Sequence, residues 1–462
     1  MKKQNKVAFF NILSVILLRG ISIFTAPIFS RMLGTDGYGV VSVYTIWVGA
    51  LAIVFTLQTQ GTMPTARVEY SDEKFRQYQS SALFLSMVAF AVLGGAVMLF
   101  CRPIARMLKL DTVLIPLILI HAFASFCVQF LNTKFVYEYR ADINCILSVT
   151  VAVLTVGLSV LFITLLPEQY DYYGRILALV VTYGTVGFGA CIYVLKSGKV
   201  FYNREFWHFC LPLALPFVFY NLSDLLLGQS DRVMLNDMMD ASSVGLYSLA
   251  LNFGGIMFTI FGALNTSWCP FFFDDMKYGR RDSIDRQAKN FTELYTVLSA
   301  GFLLLTPEVF HIFAREDFWG GIPWIPIFVS SYYLNFLCTF PVNYEYYQKK
   351  TKAVAIVTIA ASVVNIGLNY VLIRRLGVMG AALATCISHG LQFGLHYFYA
   401  KYRLSGGDYP FGFRKWAVPA GFYCGVVALV YLLPEAGLLR WGLGAAIGVW
   451  ELLQIRRRKS LF

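Results

Sequence analysis

Long apolar runs separated by short polar segments make up almost the whole chain. A helix needs about 20 mostly apolar residues to cross the hydrocarbon core of a bilayer. This pattern predicts an all-α, polytopic membrane helical bundle with about 14 transmembrane helices, called spans 1–14 below. The spans are 7–33, 39–62, 77–101, 112–133, 143–166, 174–196, 207–230, 241–268, 288–313, 322–344, 352–373, 378–400, 415–433 and 437–455.

The two ends of the chain carry the less regular spans. Arg440 and Glu451 flank or interrupt span 14. Span 1 follows three lysines, as a signal peptide would, but its apolar run is longer than the roughly 7–15 residues of a signal sequence. The sequence therefore predicts that span 1 is retained in the bilayer.

Basic residues predict the orientation of the spans. Twenty-seven of the 38 Lys and Arg residues fall on the side of the membrane that holds the N-terminus, and ten fall on the other side. Cytoplasmic segments of membrane proteins are enriched in Lys and Arg. This bias predicts that both termini are cytoplasmic.

Composition and charge exclude other classes of protein. Hydrophobic residues make up 58% of the chain and charged residues 14%, against about a quarter charged in an ordinary soluble domain. The net charge of +12 comes from short basic clusters between apolar runs, which does not indicate nucleic-acid binding. The nine cysteines are scattered without a CxxC pair, which favours packing over a metal site or a disulfide framework.

An internal repeat relates the two halves of the chain. Six spans separate its copies, so both halves face the same way, as in transporters built from parallel repeats. This predicts an N-terminal lobe at 1–200, a C-terminal lobe at 201–405, and two additional helices with a basic tail at 406–462. The matches, offset by 206 or 207 residues, are Gly39/Ser42 with Gly245/Ser248, Gly174/Leu177/Ala178/Gly184 with Gly380/Leu383/Ala384/Gly390, and Tyr137–Tyr139 with Tyr344–Tyr346.

Four segments carry a resemblance to a known family: PIFSRMLGTDGYGVVSVYT, SDRVMLNDMMDASSVGLYSLALNF, YYQKKTK and LGVMGAALAT. With them the chain resembles the multidrug/oligosaccharidyl-lipid/polysaccharide exporter superfamily, and within it the bacterial polysaccharide repeat-unit flippases. The resemblance implies a V-shaped pair of lobes in the bacterial cytoplasmic membrane that exports a polyprenyl-diphosphate-linked glycan by alternating access. It also implies a polysaccharide polymerase and glycosyltransferases as partners, and H⁺ or Na⁺ as a coupling ion, with no other cofactor.

Charged residues within or at the ends of spans are the candidate site residues, because a charge at the bilayer centre is costly. Arg19 in span 1 either grips the substrate's diphosphate or holds the bundle through an interhelical hydrogen bond. Asp224, at nearly the repeat-equivalent position of span 7, either binds the coupling ion or is a structural carboxylate. Arg31 and Arg232, at the outer ends of these spans, are further substrate-binding candidates or solvated, interfacial residues.

Other polar residues are interpreted structurally. The repeated carboxylates Glu138 and Glu345 are expected to anchor loops through Lys134 and Lys349, and isolated histidines such as His396 are expected to pack.

Competing functions remain open within the transporter class: a lipid II flippase, or a cation-coupled multidrug exporter of the same superfamily. A membrane glycosyltransferase or polymerase is not expected, because every outer loop is short and no catalytic cluster of carboxylates and histidines is present in the sequence.

Overall fold

The computed structural model describes residues 3–406, 409–412 and 414–458. Short 3₁₀ turns lie at Thr59–Thr62, Glu168–Tyr170 and Glu316–Trp324, and a π-helical turn lies at Tyr399–Leu404. The α-helices are α1 (Lys3–Phe55), α2 (Met63–Glu69), α3 (Asp72–Leu99), α4 (Cys101–Leu108), α5 (Leu114–Tyr137), α6 (Ala141–Leu165), α7 (Asp171–Gly198), α8 (Arg204–Met238), α9 (Ala241–Lys277), α10 (Arg281–Phe313), α11 (Ile325–Tyr347), α12 (Thr351–Leu376), α13 (Val378–Phe398), α14 (Arg414–Leu432) and α15 (Gly437–Arg458).

Each predicted span has a helical counterpart among these elements. Spans 1 and 2 are the two parts of α1, which are separated at Gly34, where the backbone is non-helical (φ 61°, ψ −175°). Eleven helical segments of the described residues are long and apolar enough to cross a membrane, and the first, Gly20–Phe55, covers parts of both spans. The predicted polytopic helical membrane bundle is therefore confirmed.

The helices that correspond to spans 13 and 14 differ from the others. Trp416–Leu432, the apolar part of α14, is shorter than the eleven segments. The final helix, α15, carries Arg440 and Glu451 and is absent from the segments identified by hydropathy within the described residues. Hydropathy alone therefore does not account for these two helices, and contacts with neighbouring helices must also hold them in the bundle.

The chain forms two compact units, Met1–Gly245 and Leu246–Phe462, called unit 1 and unit 2 below. Unit 1 contains α1–α8 and the first turn of α9, and unit 2 contains the remaining helices. The division of the chain into lobes at 1–200 and 201–405, with a separate C-terminal pair of helices, stays a prediction.

Repeat-related glycines make equivalent contacts in the two units. A Cβ added at Gly174 would lie 2.7 Å from the backbone nitrogen of Ile163, so α7 starts against the end of α6. A Cβ at Gly380 would lie 2.1 Å from the carbonyl oxygen of Leu372, so α13 starts against the end of α12 in the same manner. Only a residue without a side chain permits backbones to come this close.

The repeat-related glycines Gly39 and Gly245 meet each other within unit 1. A Cβ on Gly39 would lie 1.7 Å from the carbonyl oxygen of Ala241, and a Cβ on Gly245 would lie 2.0 Å from that of Thr35. The contact is reciprocal: each glycine packs against the carbonyl group that lies four residues before the other glycine. It fixes the second part of α1 against the start of α9.

Aromatic side chains fill much of the core of unit 2. Trp268 and Tyr295 are fully buried, and the rings of Tyr295 and Phe336 lie 4.3 Å apart. Phe340 packs between Phe291 and Trp416, which joins α11 to α10 and α14. Large rings bury extensive surface with little loss of side-chain freedom, so they rigidify the helix contacts.

Candidate functional site: an amphipathic cavity in unit 2

A cavity of about 1090 Å³ opens between α10, α14 and α15 of unit 2. Pockets for small ligands usually measure about 300–1,000 Å³, so this one has room for a large substrate rather than for an ion alone. It is lined by Asp285, Arg286, Lys289, Asn290, Glu293, Thr296, Val297, Val418, Pro419, Phe422, Ala446, Ile447 and Trp450.

The start of α10 provides the charged end of the cavity. Lys289 and Glu293 lie one turn apart, with the Lys289 Nζ 3.8 Å from Glu293 Oε1. Arg286 is exposed and makes no hydrogen bond or ion pair with any other described residue. A guanidinium in this state is available to an anionic group such as a phosphate, which it binds through two hydrogen bonds.

The walls that α14 and α15 provide are apolar. Val418 and Phe422 are one turn apart on α14, and Ile447 and Trp450 are neighbours on one face of α15. Val418 is 78% exposed and Trp450 is 47% exposed, so these side chains present open hydrocarbon to the cavity. Because the polar groups are concentrated on α10, the cavity is amphipathic.

Ring stacking and hydrogen bonds hold α14 in place. The ring of Tyr423 lies parallel to that of Tyr333 on α11, with centroids 4.3 Å apart, and its hydroxyl is 3.1 Å from Ser330 Oγ. Tyr333 in turn shares a 2.8 Å hydrogen bond with Thr296, a residue of the cavity wall. The wall on α10 and the wall on α14 are thus joined through α11.

An ion pair holds α15 against α10. The Arg440 guanidinium, which is 1% exposed, donates from Nη2 to Glu308 Oε1. A buried charge without a partner is strongly destabilising, so this pair explains how an arginine is accommodated in the helix.

Arg31 and Arg232, two of the predicted substrate-binding residues, belong to unit 1 and do not line the cavity of unit 2. Arg31 is exposed on α1. Arg232 is half-buried on α8 and donates to Gln229 Oε1 over 2.7 Å. Its neighbour Asp231 is 5% exposed.

The side chains of Arg19 and Asp224 lie outside the part of the chain that the structure describes, although their backbones belong to α1 and α8. Their assignment to substrate and coupling ion stays a prediction.

A partly buried arginine at the start of span 6 lies inside the helix bundle of unit 1. Arg175 is in the first turn of α7, where it donates to Ser159 on α6 and its guanidinium carbon lies 3.9 Å from the ring centroid of Phe29 on α1. These contacts tie three helices together. A structural role accounts for them all.

The repeated carboxylates have different partners in the two units. Glu138 Oε1 forms an ion pair with Lys134 Nζ over 2.7 Å, as expected. The expectation for Glu345 is wrong, because its partner is His396 on α13 and not Lys349. His396 lies about fifty positions further along the chain, and only the packing of α11 against α13 brings the two together.

Comparison with known proteins identifies the family. A family model described as "Polysaccharide biosynthesis protein" matches residues 5–276, which is more than half of the chain. The chain belongs to the polysaccharide biosynthesis protein family. Members of this family are membrane transporters of the exporter superfamily that the sequence resembles, and they are not enzymes. The predicted membership of the exporter superfamily is confirmed.

Two relatives of this chain occur in Haemophilus influenzae. "Lsg locus putative protein 1" is 24% identical over 358 residues, which cover 74% of this chain and 84% of the relative. An "Uncharacterized membrane protein" of the same organism is 22% identical over 351 residues, which cover 74% of this chain and 83% of the relative.

Two solved structures share the fold of this chain. A structure titled "Lipid II flippase MurJ, inward closed conformation" superposes with a TM-score of 0.73 at 15% identity, over 97% of this chain and 99% of that chain. An inward-facing multidrug resistance MATE family transporter of the MOP superfamily gives a TM-score of 0.61 at 15% identity, over 85% and 95% of the two chains. At this identity the likeness establishes the fold.

Proposed function

We propose that this membrane transporter is a flippase for a lipid-linked oligosaccharide. It moves a polysaccharide repeat unit on a polyprenyl diphosphate from the cytoplasmic to the outer leaflet of the bacterial cytoplasmic membrane by alternating access of two lobes. The amphipathic cavity between α10, α14 and α15 is the observation that carries the proposal, together with membership of the polysaccharide biosynthesis family.

The chemistry of such a substrate matches the two ends of the cavity. A sugar hydroxyl or amide costs roughly 4–8 kcal/mol when it enters hydrocarbon without a hydrogen bond, so several sugars and a diphosphate need a polar path. Arg286 and Lys289 supply cationic donors for the diphosphate. The apolar walls favour the polyprenyl tail, because each buried CH₂ contributes about 0.8 kcal/mol.

Two other substrates are compatible with the fold. A lipid II flippase would also carry a polyprenyl diphosphate, and a structure with that title shares the fold. A multidrug exporter would bind cationic compounds, for which Asp285 and Glu293 are the suitable cavity residues. The family favours the polysaccharide precursor over both.

The cavity can be tested with a double variant of its cationic residues. We expect Arg286→Ala/Lys289→Ala to abolish surface polysaccharide while the protein still accumulates in the membrane. Arg281→Ala is the matched control, because Arg281 is an exposed arginine of the same helix that does not line the cavity. Surface polysaccharide is measured in a strain that lacks the chromosomal gene, and lipid-linked glycan is assayed on each face of the membrane.

The site of accumulation distinguishes the candidates. A flippase defect leaves lipid-linked oligosaccharide on the cytoplasmic face. Accumulation of peptidoglycan precursors instead would favour lipid II, and sensitivity to cationic drugs without a glycan defect would favour the multidrug exporter. Normal polysaccharide in the double variant would refute the role of this cavity.

Ion coupling by Asp224 and diphosphate binding by Arg19 are separate parts of the proposal. Arg19→Lys keeps the charge but loses the bidentate geometry, so partial export is expected, whereas Arg19→Ala should abolish export at normal abundance. Asp224→Asn should remove dependence on an ion gradient and retain substrate binding. Normal export in Arg19→Ala and Asp224→Ala would remove both assignments.

A further inference from the structure

A carboxylate and an imidazole are enclosed together in unit 2, away from the cavity. Glu345 lies in the last turn of α11 and His396 in the last turn of α13. His396 Nδ1 is 2.9 Å from Glu345 Oε1, and both side chains are 0% exposed. The two groups therefore share a hydrogen bond that is shut off from solvent.

The two groups depend on each other for hydrogen bonding. Glu345 Oε2 and His396 Nε2 are buried and have no hydrogen-bond partner among the described residues. Glu345 also makes no ion pair with a lysine or arginine in the described part of the chain. The repeat-related Glu138 differs, because Lys134 Nζ lies 2.7 Å from its Oε1 and its side chain is 22% exposed.

Aromatic side chains and a thiol face the pair. The titratable groups that face it are the Cys338 thiol and Tyr344 on α11, Tyr397 on α13, and Tyr409 in the segment between α13 and α14. The ring of Tyr409 packs edge-on against Tyr344 and Tyr397, with centroid distances of 5.4 Å and 5.7 Å. Tyr397 in turn accepts a 3.1 Å hydrogen bond from Lys401 Nζ, so this cation contacts Tyr397 and not the pair itself.

Charge counting shows what this enclosure requires. An ionised carboxylate with a neutral imidazole carries −1, and one added proton makes the pair neutral, as an ion pair or as carboxylic acid with imidazole. A second proton makes it +1. Burying a net charge is expensive, so enclosure of both side chains favours the neutral pair, which carries one added proton.

We propose that Glu345 and His396 form a proton-binding site that couples transport to the proton gradient. The pair bridges α11 and α13, so any movement that separates the ends of these helices exposes both groups to water and releases the proton. A π-helical turn begins three residues after His396, and such turns are frequent where helices rearrange at functional sites. The proposal rests on the flippase function above, for which it names one coupling ion.

Infrared titration of the full-length protein tests proton binding directly. The protein is reconstituted in vesicles of phosphatidylethanolamine and phosphatidylglycerol, and difference spectra are recorded between about pH 5 and about pH 8, the range in which histidine changes its charge. We expect a carboxyl or carboxylate band that changes with pH, is lost in Glu345→Gln and is shifted in His396→Gln. The glutamine at 345 still accepts the bond from Nδ1–H, so the fold is retained.

Glu138→Gln is the matched control, since it removes the repeat-related carboxylate that pairs with lysine, and it should leave this band unchanged. A band that is the same in the wild type and Glu345→Gln would overturn the proposal and leave a static hydrogen bond. If Glu345→Gln does not accumulate, His396→Gln alone decides: an unchanged band overturns the proposal and a shifted band supports it.

Export assays separate this proposal from the proposed function. Glu345→Gln should lose the dependence of glycan export on the proton gradient, and export should fall at least tenfold. If Glu345→Gln exports normally with the same gradient dependence, the proton site is wrong and the flippase stands. If the wild-type protein exports no glycan, the flippase function is wrong whatever the infrared titration gives.

Discussion

Replacing Gly245 with alanine perturbs the contact between α1 and α9 at one atom. The new Cβ would lie 2.0 Å from the carbonyl oxygen of Thr35, 2.9 Å from its carbonyl carbon and 3.1 Å from the nitrogen of Gly39. Real Cβ atoms essentially never come closer than 3.0 Å, so the backbones must separate by about 1 Å. The atoms that clash with the new methyl group belong to the main chain, so no change of side-chain rotamer relieves the clash.

The size of the effect follows from two opposing terms. Overpacking a well-packed site costs about 1–3 kcal/mol, and a main-chain obstruction belongs at the upper end. Alanine is favoured over glycine in a helix by about 1 kcal/mol. We therefore expect Gly245→Ala to lower the free energy of unfolding by about 2 kcal/mol, which is roughly a 30-fold change in the ratio of folded to unfolded protein.

Thermal inactivation in detergent measures this loss. The full-length variants are heated, and the fraction that remains monodisperse is followed by size-exclusion chromatography. Gly262→Ala is the control on the same helix, because a Cβ there has no neighbour within 4 Å and only the helix-propensity gain applies. Equal midpoints for Gly245→Ala and Gly262→Ala would refute the argument from backbone contact.

Three further outcomes are expected. Gly380→Ala should lower the thermal midpoint as Gly245→Ala does, because its Cβ would lie 2.1 Å from a carbonyl oxygen of α12; a neutral effect would contradict the equivalent helix contacts. Arg440→Met should cost about 3 kcal/mol by leaving the Glu308 carboxylate unpaired, and Glu308→Gln in the same chain should restore much of the loss, as a midpoint series would show. Reporter fusions after Asp171 should report the outside and fusions after Gly198 the cytoplasm; the opposite result would reverse the orientation.

Hydropathy was enough to predict the helical bundle, because a bilayer leaves the backbone few alternatives. The glycine matches of the repeat were also informative, since Gly39, Gly174, Gly245 and Gly380 all lie where backbones touch. Gly184 is a counter-example: a Cβ there would meet nothing within 4 Å, so that match reflects no close approach.

The candidate site was much harder to predict from the sequence. The cavity joins α10 to two helices more than 120 positions later, and its apolar walls resemble any lipid-facing surface when they are read along the chain. Glu345 was recognised as a repeated residue, but its partner His396 has no counterpart in the first repeat, where position 190 is an alanine. Contacts between helices distant in sequence leave no local pattern.

The ion pair between Arg440 and Glu308 has a consequence for the assembly of the protein during synthesis. An arginine adds up to about 2.5–3.5 kcal/mol to the free energy of entering a bilayer, the full cost applying at a helix centre. Arg440 lies in the first turn of α15, so it bears part of this cost and, while unpaired, opposes the insertion of α15 on its own. Because α10 is made first, its carboxylate is available when α15 leaves the ribosome. We expect α15 to enter the membrane by pairing with α10 after α10 has been inserted. The apolar wall that α15 contributes to the cavity then forms later than the charged end on α10.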